Sequence, residues 1–193
     1  RLVGSEMCIR DRYLIKTPVL RFDLIDSLCN SEVFFKCENF QHTGSFKYRA
    51  ALNAIKNIPF DFKKRGVITH SSGNFAHALS RASHELNIPC YIIMPSNTPD
   101  FKKKSVLKYT NNIIECEPNL NAREQTTKTL MKEKNLFFLH PSNNMDVILG
   151  NSSCACEFIE DYPNLDFIFS PIGGGGLIAG TSICLLYTSP SPR

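Results

Sequence analysis

Six apolar runs alternate with stretches of helical spacing along this chain, and that alternation limits the fold more than any other feature. The runs cover 33–36, 66–70, 90–95, 112–117, 136–140 and 167–172. They are continuously hydrophobic, as strands buried on both faces are. Between them, 45–57 sets Phe46, Ala50, Ala54 and Ile55 at helical spacing. The next stretch, 74–86, puts Phe75, Ala78, Leu79, Ala82 and Leu86 on one stripe. Residues 100–109, led by Asp100 after Pro99, then 121–134 and 146–160, continue the series. Strand and helix in regular exchange predict an α/β fold of parallel sheets with covering helices. The polar, proline-containing segment 57–65 and the segment 140–144 read as links. They predict two lobes, a small one of 66–143 and a large one built from 13–65 with 144–183.

The two ends read differently. Residues 184–189 can be encoded by a DNA string whose other strand encodes 7–12, and the match extends outward through 190–193 and 3–6. That string resembles a transposase sequencing adapter, so about 1–12 and 184–193 read as adapter-like artefacts and are left out of the fold reading. Four of the 22 Lys and Arg and two of the 18 Asp and Glu lie in those ends. The remainder is close to charge balance, which argues against nucleic acid or an anionic membrane as partner. No apolar stretch reaches the about 18 residues of a membrane span.

Cys8 and Cys184 also fall in the ends. Cys29, Cys37, Cys90, Cys116, Cys154 and Cys156 form no C-x-x-C pair and sit mostly in apolar runs. They read as buried reduced thiols of a cytoplasmic protein. Cys154-x-Cys156 has the wrong spacing for a zinc knuckle, and His42, His77 and His84 lack ligand spacing, so no metal site is expected. Lys102, Lys103 and Lys104 read as a solvated helix face. His70 and His140 end strands, where they either line a cleft or pack as satisfied core histidines.

Three motifs carry chemistry. Thr43-Gly44-Ser45-Phe46-Lys47 offers an amine at the start of a helix, beside a glycine-marked turn. A lysine desolvated there, near the positive end of the helix dipole, can act as a free amine. An exposed helix lysine is the plainer alternative. Ser71-Ser72-Gly73-Asn74 follows a strand and opens a helix, so its hydroxyls and N–H groups suit a carboxylate, or simply an N-cap. Gly173, Gly174, Gly175 and Gly176 end one apolar run and open another. Such a backbone approaches a phosphate closely, with the N–H groups of the following helix aimed at the same place. G-x-G-x-x-G is not well matched, because Leu177 and Ile178 interrupt it. An aldehyde cofactor with a phosphate, pyridoxal 5'-phosphate, satisfies all three.

Lys36-Cys37-Glu38 with 41–50, Thr69-His70-Ser71-Ser72-Gly73-Asn74, and Pro171-Ile172 with the four glycines occur in one order over 15–183. In this the chain resembles the serine/threonine dehydratases and serine racemases. These are pyridoxal-phosphate enzymes of the tryptophan synthase β-like fold, fold type II.

The resemblance implies that Lys47 binds the cofactor aldehyde and acts as a base at Cα. It implies that Phe46 packs near the ring, Asn74 meets the ring hydroxyl, and the four glycines hold the phosphate. Ser71, Ser72, Gly73 and Asn74 would take the carboxylate of a small amino-acid substrate. Dehydratases of this kind often carry alanine where Ser72 stands, whereas the racemases carry a serine that works on the face opposite the lysine. Lys47 and Ser72 therefore form a sufficient pair of proton carriers for racemisation.

The leading expectation is deamination of L-serine or L-threonine to a 2-oxo acid and ammonia. Serine racemase is the alternative, and a non-catalytic cofactor-binding homologue the second. The non-catalytic reading is motivated by departures from the family pattern, Phe75 for histidine, Ser142 for asparagine and Asn151-Ser152 for Gln-Gly; Ala50 for glycine is a further departure. The partner of the pyridine nitrogen and an acidic divalent-cation site lie beyond the glycines in this family. The 193 residues alone are accordingly expected to be inactive and to expose apolar surface, and the full-length protein to be a homodimer.

Overall fold

The computed structural model describes residues 13–188. Residues 1–12 and 189–193, within the ends read as adapter-derived, lie outside the described residues. Residues 184–188 continue the last helix.

Strand β1 (Val19–Arg21) pairs antiparallel with β2 (Phe34–Lys36), the chain turning back through helix α1 (Asp23–Cys29). The run at 33–36 is thus a strand, but not part of a parallel sheet. Two 3-10 turns, Glu38–Phe40 and His42–Gly44, lead into α2 (Lys47–Lys56), and α3 (Phe60–Arg65) follows. The short polar α3 occupies the stretch read as a link.

A four-stranded parallel sheet comes next. It contains β3 (Val67–His70), β4 (Cys90–Pro95), β5 (Ile113–Cys116) and β6 (Phe137–Phe138), in the order β5-β4-β3-β6. Helices α4 (Asn74–Glu85), α5 (Asp100–Leu107) and α6 (Leu120–Lys134) make its crossovers. The chain then runs into α7 (Met145–Asp161) and α8 (Gly176–Thr188).

The residues explain these elements. Val67, Ile68, Thr69, Ile92, Ile93 and Met94 are fully buried, as central parallel strands require. The α4 stripe of Phe75, Ala78, Leu79 and Ala82 shares one core with Val67, Ile92 and Met94 of the sheet and with Tyr48, Leu52 and Ile55 of α2, while Ile68 and Ile93 belong to a second cluster with Leu136. Asn119 and Asn144 cap α6 and α7, their side chains accepting from Ala122 N at 2.8 Å and Val147 N at 3.0 Å.

Helices α2, α7 and α8 form a layer of unusually close contacts. A Cβ on Gly150 of α7 would stand 2.6 Å from the Arg49 carbonyl oxygen of α2, and one on Gly180 of α8 would stand 2.5 Å from the Ile148 carbonyl oxygen of α7. Only glycine permits either approach.

Two further expectations are corrected. The run at 167–172 is not a strand: Phe167, Phe169 and Ile172 are 80%, 93% and 74% exposed. No neighbouring strand among the described residues supplies ladder partners, and an apolar run without them cannot form a sheet. Nor are all the thiols reduced. Cys156 and Cys184 are joined in a disulfide with Cα atoms 5.8 Å apart. The reason is the Gly180 contact, which packs on Ser152; one turn further along each helix, Cys184 meets Cys156. Cys29 is exposed, while Cys90 and Cys116 are buried as expected.

Among the described residues, no helix is long and apolar enough to cross a membrane. No group of three or more His, Cys, Asp or Glu there could hold a metal ion.

Candidate active site

Strand order places the site. From β3 the chain moves to β4 and β5 on one side, then returns to β6 on the other. The carboxyl ends of β3 and β6 therefore border a topological switch point, where open α/β sheets bind ligands. The loop after β3 is Ser71-Ser72-Gly73, and the one after β6 contains His140, Pro141 and Ser142. The rings of His70, the last residue of β3, and His140, just beyond β6, lie edge to face at 5.9 Å.

Lys47 enters this crevice as the first residue of α2. Its amine donates to the Pro141 carbonyl oxygen at 2.8 Å and lies 5.1 Å from the Phe46 ring and 5.9 Å from the Phe75 ring. Burial between these rings lowers its pKa. The neighbouring His140 is lowered by burial first and by the Lys47 charge second. Its Nδ1 accepts the N–H groups of Ser142 at 3.1 Å and Asn143 at 2.7 Å, which braces the loop that receives the lysine. Before Lys47 the chain makes a tight turn, with Thr43 at φ 62° and Gly44 at φ 73°. A β-branched residue in that region costs about 1–3 kcal/mol. The hydroxyls of Thr43 and Ser45 are buried there with no hydrogen-bond partner.

The four glycines run along the same loop. A Cβ on Gly174 would stand 2.5 Å from Ser142 Oγ, and one on Gly176 would stand 3.1 Å from the Ser142 carbonyl oxygen. Gly175 has φ +80°. Gly173 and Gly174 are exposed, and Gly176 begins α8 in a buried position. Lys47 thus reaches Pro141, and the glycines reach Ser142, its neighbour in sequence.

Ser71, Ser72 and Gly73 are half-buried after β3, with Gly73 N–H donating to Ser71 Oγ at 3.3 Å. Asn74 opens α4 and is exposed. Phe75, where the related pattern has histidine, is 2% exposed and forms one wall beside Lys47. Phe46 faces a cavity shared with Leu177 and Thr181 of α8.

Sequence reading missed the clamp that sets α2. The Arg49 side chain is fully buried. Its Nε donates to Glu38 Oε2 at 2.7 Å, and its Nη1 and Nη2 reach the two Glu157 oxygens at 2.7 and 2.8 Å. Lys36 Nζ donates to Glu157 at 2.8 Å, and Thr17 Oγ1 to Glu38 at 2.6 Å. Burial opposes the charges of Arg49 and Glu157. The bonds from Glu38 and Glu157 nevertheless raise the Arg49 pKa, and those from Arg49 and Lys36 lower that of Glu157. Lys36, Glu38 and Arg49 stood inside quoted motifs, but Glu157 lies 108 residues from Arg49 and no local pattern links them.

The residues present fit a phosphorylated aldehyde. The crevice has a desolvated amine at one end and a glycine backbone at the other, with Gly174 lying where a Cβ would strike Ser142.

The comparisons agree. The profile of the family described as "Pyridoxal-phosphate dependent enzyme" matches residues 11–193, and the chain belongs to that family. It is 41% identical over 181 residues to serine racemase of Dictyostelium discoideum, covering 94% of this chain and 56% of that protein. It is also 41% identical over 181 residues to beta-hydroxyaspartate dehydratase of Paracoccus denitrificans, covering 94% and 58%. The crystal structure of the Dictyostelium serine racemase superposes with TM-score 0.93 at 38% identity, over 100% of this chain and 62% of that one. The fold is the tryptophan synthase β-like α/β fold of these enzymes. The chain spans little more than half the length of the curated relatives it matches.

Proposed function

We propose that the full-length protein is a pyridoxal-phosphate enzyme that removes the Cα proton of a small β-hydroxy amino acid and eliminates the β-hydroxyl. L-serine or L-threonine would yield a 2-oxo acid and ammonia. The observation that carries this reading is the Lys47 amine, desolvated at the switch point and held on Pro141, beside the glycine loop on Ser142.

When bound, pyridoxal phosphate supplies an aldehyde for the lysine and an electron-withdrawing ring for Cα. The residues of the chain do the rest. The glycine backbone and the N-terminus of α8 hold the phosphate. Ser71, Ser72, Gly73 and Asn74 hold the substrate carboxylate at the start of α4. The Phe46 and Phe75 rings keep water from Lys47, so that its amine is free to take the Cα proton. Cα–H and the β-hydroxyl leave as water, 2-aminoacrylate is released from L-serine, and its hydrolysis gives pyruvate and ammonia.

Ser72 favours a second reading, amino acid racemisation. A hydroxyl after β3 can return a proton to the face opposite Lys47. The similarity to a serine racemase and to a dehydratase at equal identity is consistent with either reaction.

The test is to incubate the full-length, cofactor-loaded protein with L-serine and quantify pyruvate and D-serine together. Mostly pyruvate, abolished in Lys47→Ala and retained in Ser72→Ala, is the expected result. D-serine lost selectively in Ser72→Ala would make racemisation the principal reaction. Neither product would point to another amino acid as substrate, or to the non-catalytic homologue. The 193-residue chain alone is expected to form neither product, and turnover by it would overturn that part of the reading.

A further inference from the structure

Asn151 lies in the middle of α7, beneath the first turn of α8. It is 0% exposed, and neither its Nδ2 nor its Oδ1 has a hydrogen-bond partner. A buried amide with four unmet hydrogen bonds is rare and costly, and calls for an explanation.

Its surroundings supply one. Asn151 Nδ2 lies 3.3 Å from the point that a Gly176 Cβ would occupy, and the Ser142 carbonyl oxygen lies 3.1 Å from the same point. A donor and an acceptor thus bracket the last glycine of the loop without bonding to each other. Asn151 cannot withdraw, because Gly150 beside it is pressed against α2 and Gly180 is pressed against α7. Solvent does not reach the amide, so it acts through the loop and does not touch the phosphate directly.

We propose that Asn151 is a positioning residue for the phosphate loop. In the ligand-bound state Nδ2 donates to the Ser142 carbonyl oxygen and Oδ1 accepts an N–H of the Gly174-to-Gly176 backbone. The remaining loop N–H groups are thereby turned toward the phosphate. The proposal rests on the pyridoxal-phosphate reading above and adds a residue that the loop motif does not contain.

The experiment titrates full-length wild type, Asn151→Leu and Asn151→Gln with pyridoxal phosphate and with pyridoxal, which lacks the phosphate, and measures the thermal stability of each apo protein. Asn151→Leu is expected to weaken pyridoxal phosphate binding by about tenfold or more, the factor of two lost neutral hydrogen bonds to the loop. Its affinity for pyridoxal should stay within about twofold, and Asn151→Gln should keep the phosphate preference. Apo Asn151→Leu should be at least as stable as wild type, because an unpaired amide has been removed. A less stable or unfolded Asn151→Leu, equal weakening for both ligands, or unchanged pyridoxal phosphate affinity would each overturn the proposal. Wild type that binds neither ligand would instead bring down the cofactor reading, and this proposal with it.

Discussion

The Lys47 amine depends on its surroundings for its chemistry. Burial beside Phe46 and Phe75 holds its pKa below the ordinary 10.5. A lowered lysine pKa means that the free amine becomes available at lower pH than on an exposed lysine. The rate at which the apo protein captures pyridoxal phosphate should therefore rise with pH to a plateau whose midpoint lies below 10.5. A midpoint at or above that value, measured by stopped-flow absorbance, would contradict the desolvated site. At this scale the motif residues were legible because lysine, hydroxyl and glycine chemistry is written in the residues themselves. Asn151 and Ser142 were visible only as departures from a family pattern. Their place beside the glycines depends on how α7 meets α8, which no neighbouring residue announces.

Among the elements, α2 matters most, since it begins with Lys47 and its other contacts decide where that residue points. Arg49 ties it to Glu38 and to Glu157 of α7. Arg49→Met would leave the buried Glu157 and the half-buried Glu38 short of a cation and should cost about 3–5 kcal/mol, read as a lower urea midpoint. The carboxylates give the clamp an acid limit. Glu157 is held below its ordinary 4.5, so its contribution is complete above that pH and is lost as pH falls through the folded value. Wild-type stability should drop below about pH 4.5, and Glu157→Gln should flatten that drop; an unchanged slope would remove Glu157 as its source. Sequence reading was strongest for strands buried on both faces, such as β3 and β4, and for a helix with one clear apolar stripe, α4. It missed β1, three residues long, and α3, six residues with only Phe60 and Phe62 apolar, because neither is long enough to show a period. It misread 167–172, because hydrophobicity reports a wish for burial and not the presence of a neighbouring strand.

At the scale of the molecule, a parallel sheet and a helical layer meet at one loop. The parallel sheet delivers Ser71, Ser72 and His140 to its switch point, and the α2–α7–α8 layer brings Lys47 and the glycines against Pro141 and Ser142. The α/β class was readable from the alternation of runs, because each crossover helix and buried strand carries its own period. The strand order was not readable, and with it the switch point, because order depends on which strands pair across long stretches of chain. The central claim is that the sheet and the layer converge on a cofactor held by Lys47. Its most direct test is borohydride reduction of the full-length protein loaded with pyridoxal phosphate, followed by peptide mapping. The account predicts a single stable pyridoxyl modification, on the peptide that contains Lys47. No modification, or one on another lysine, would contradict it.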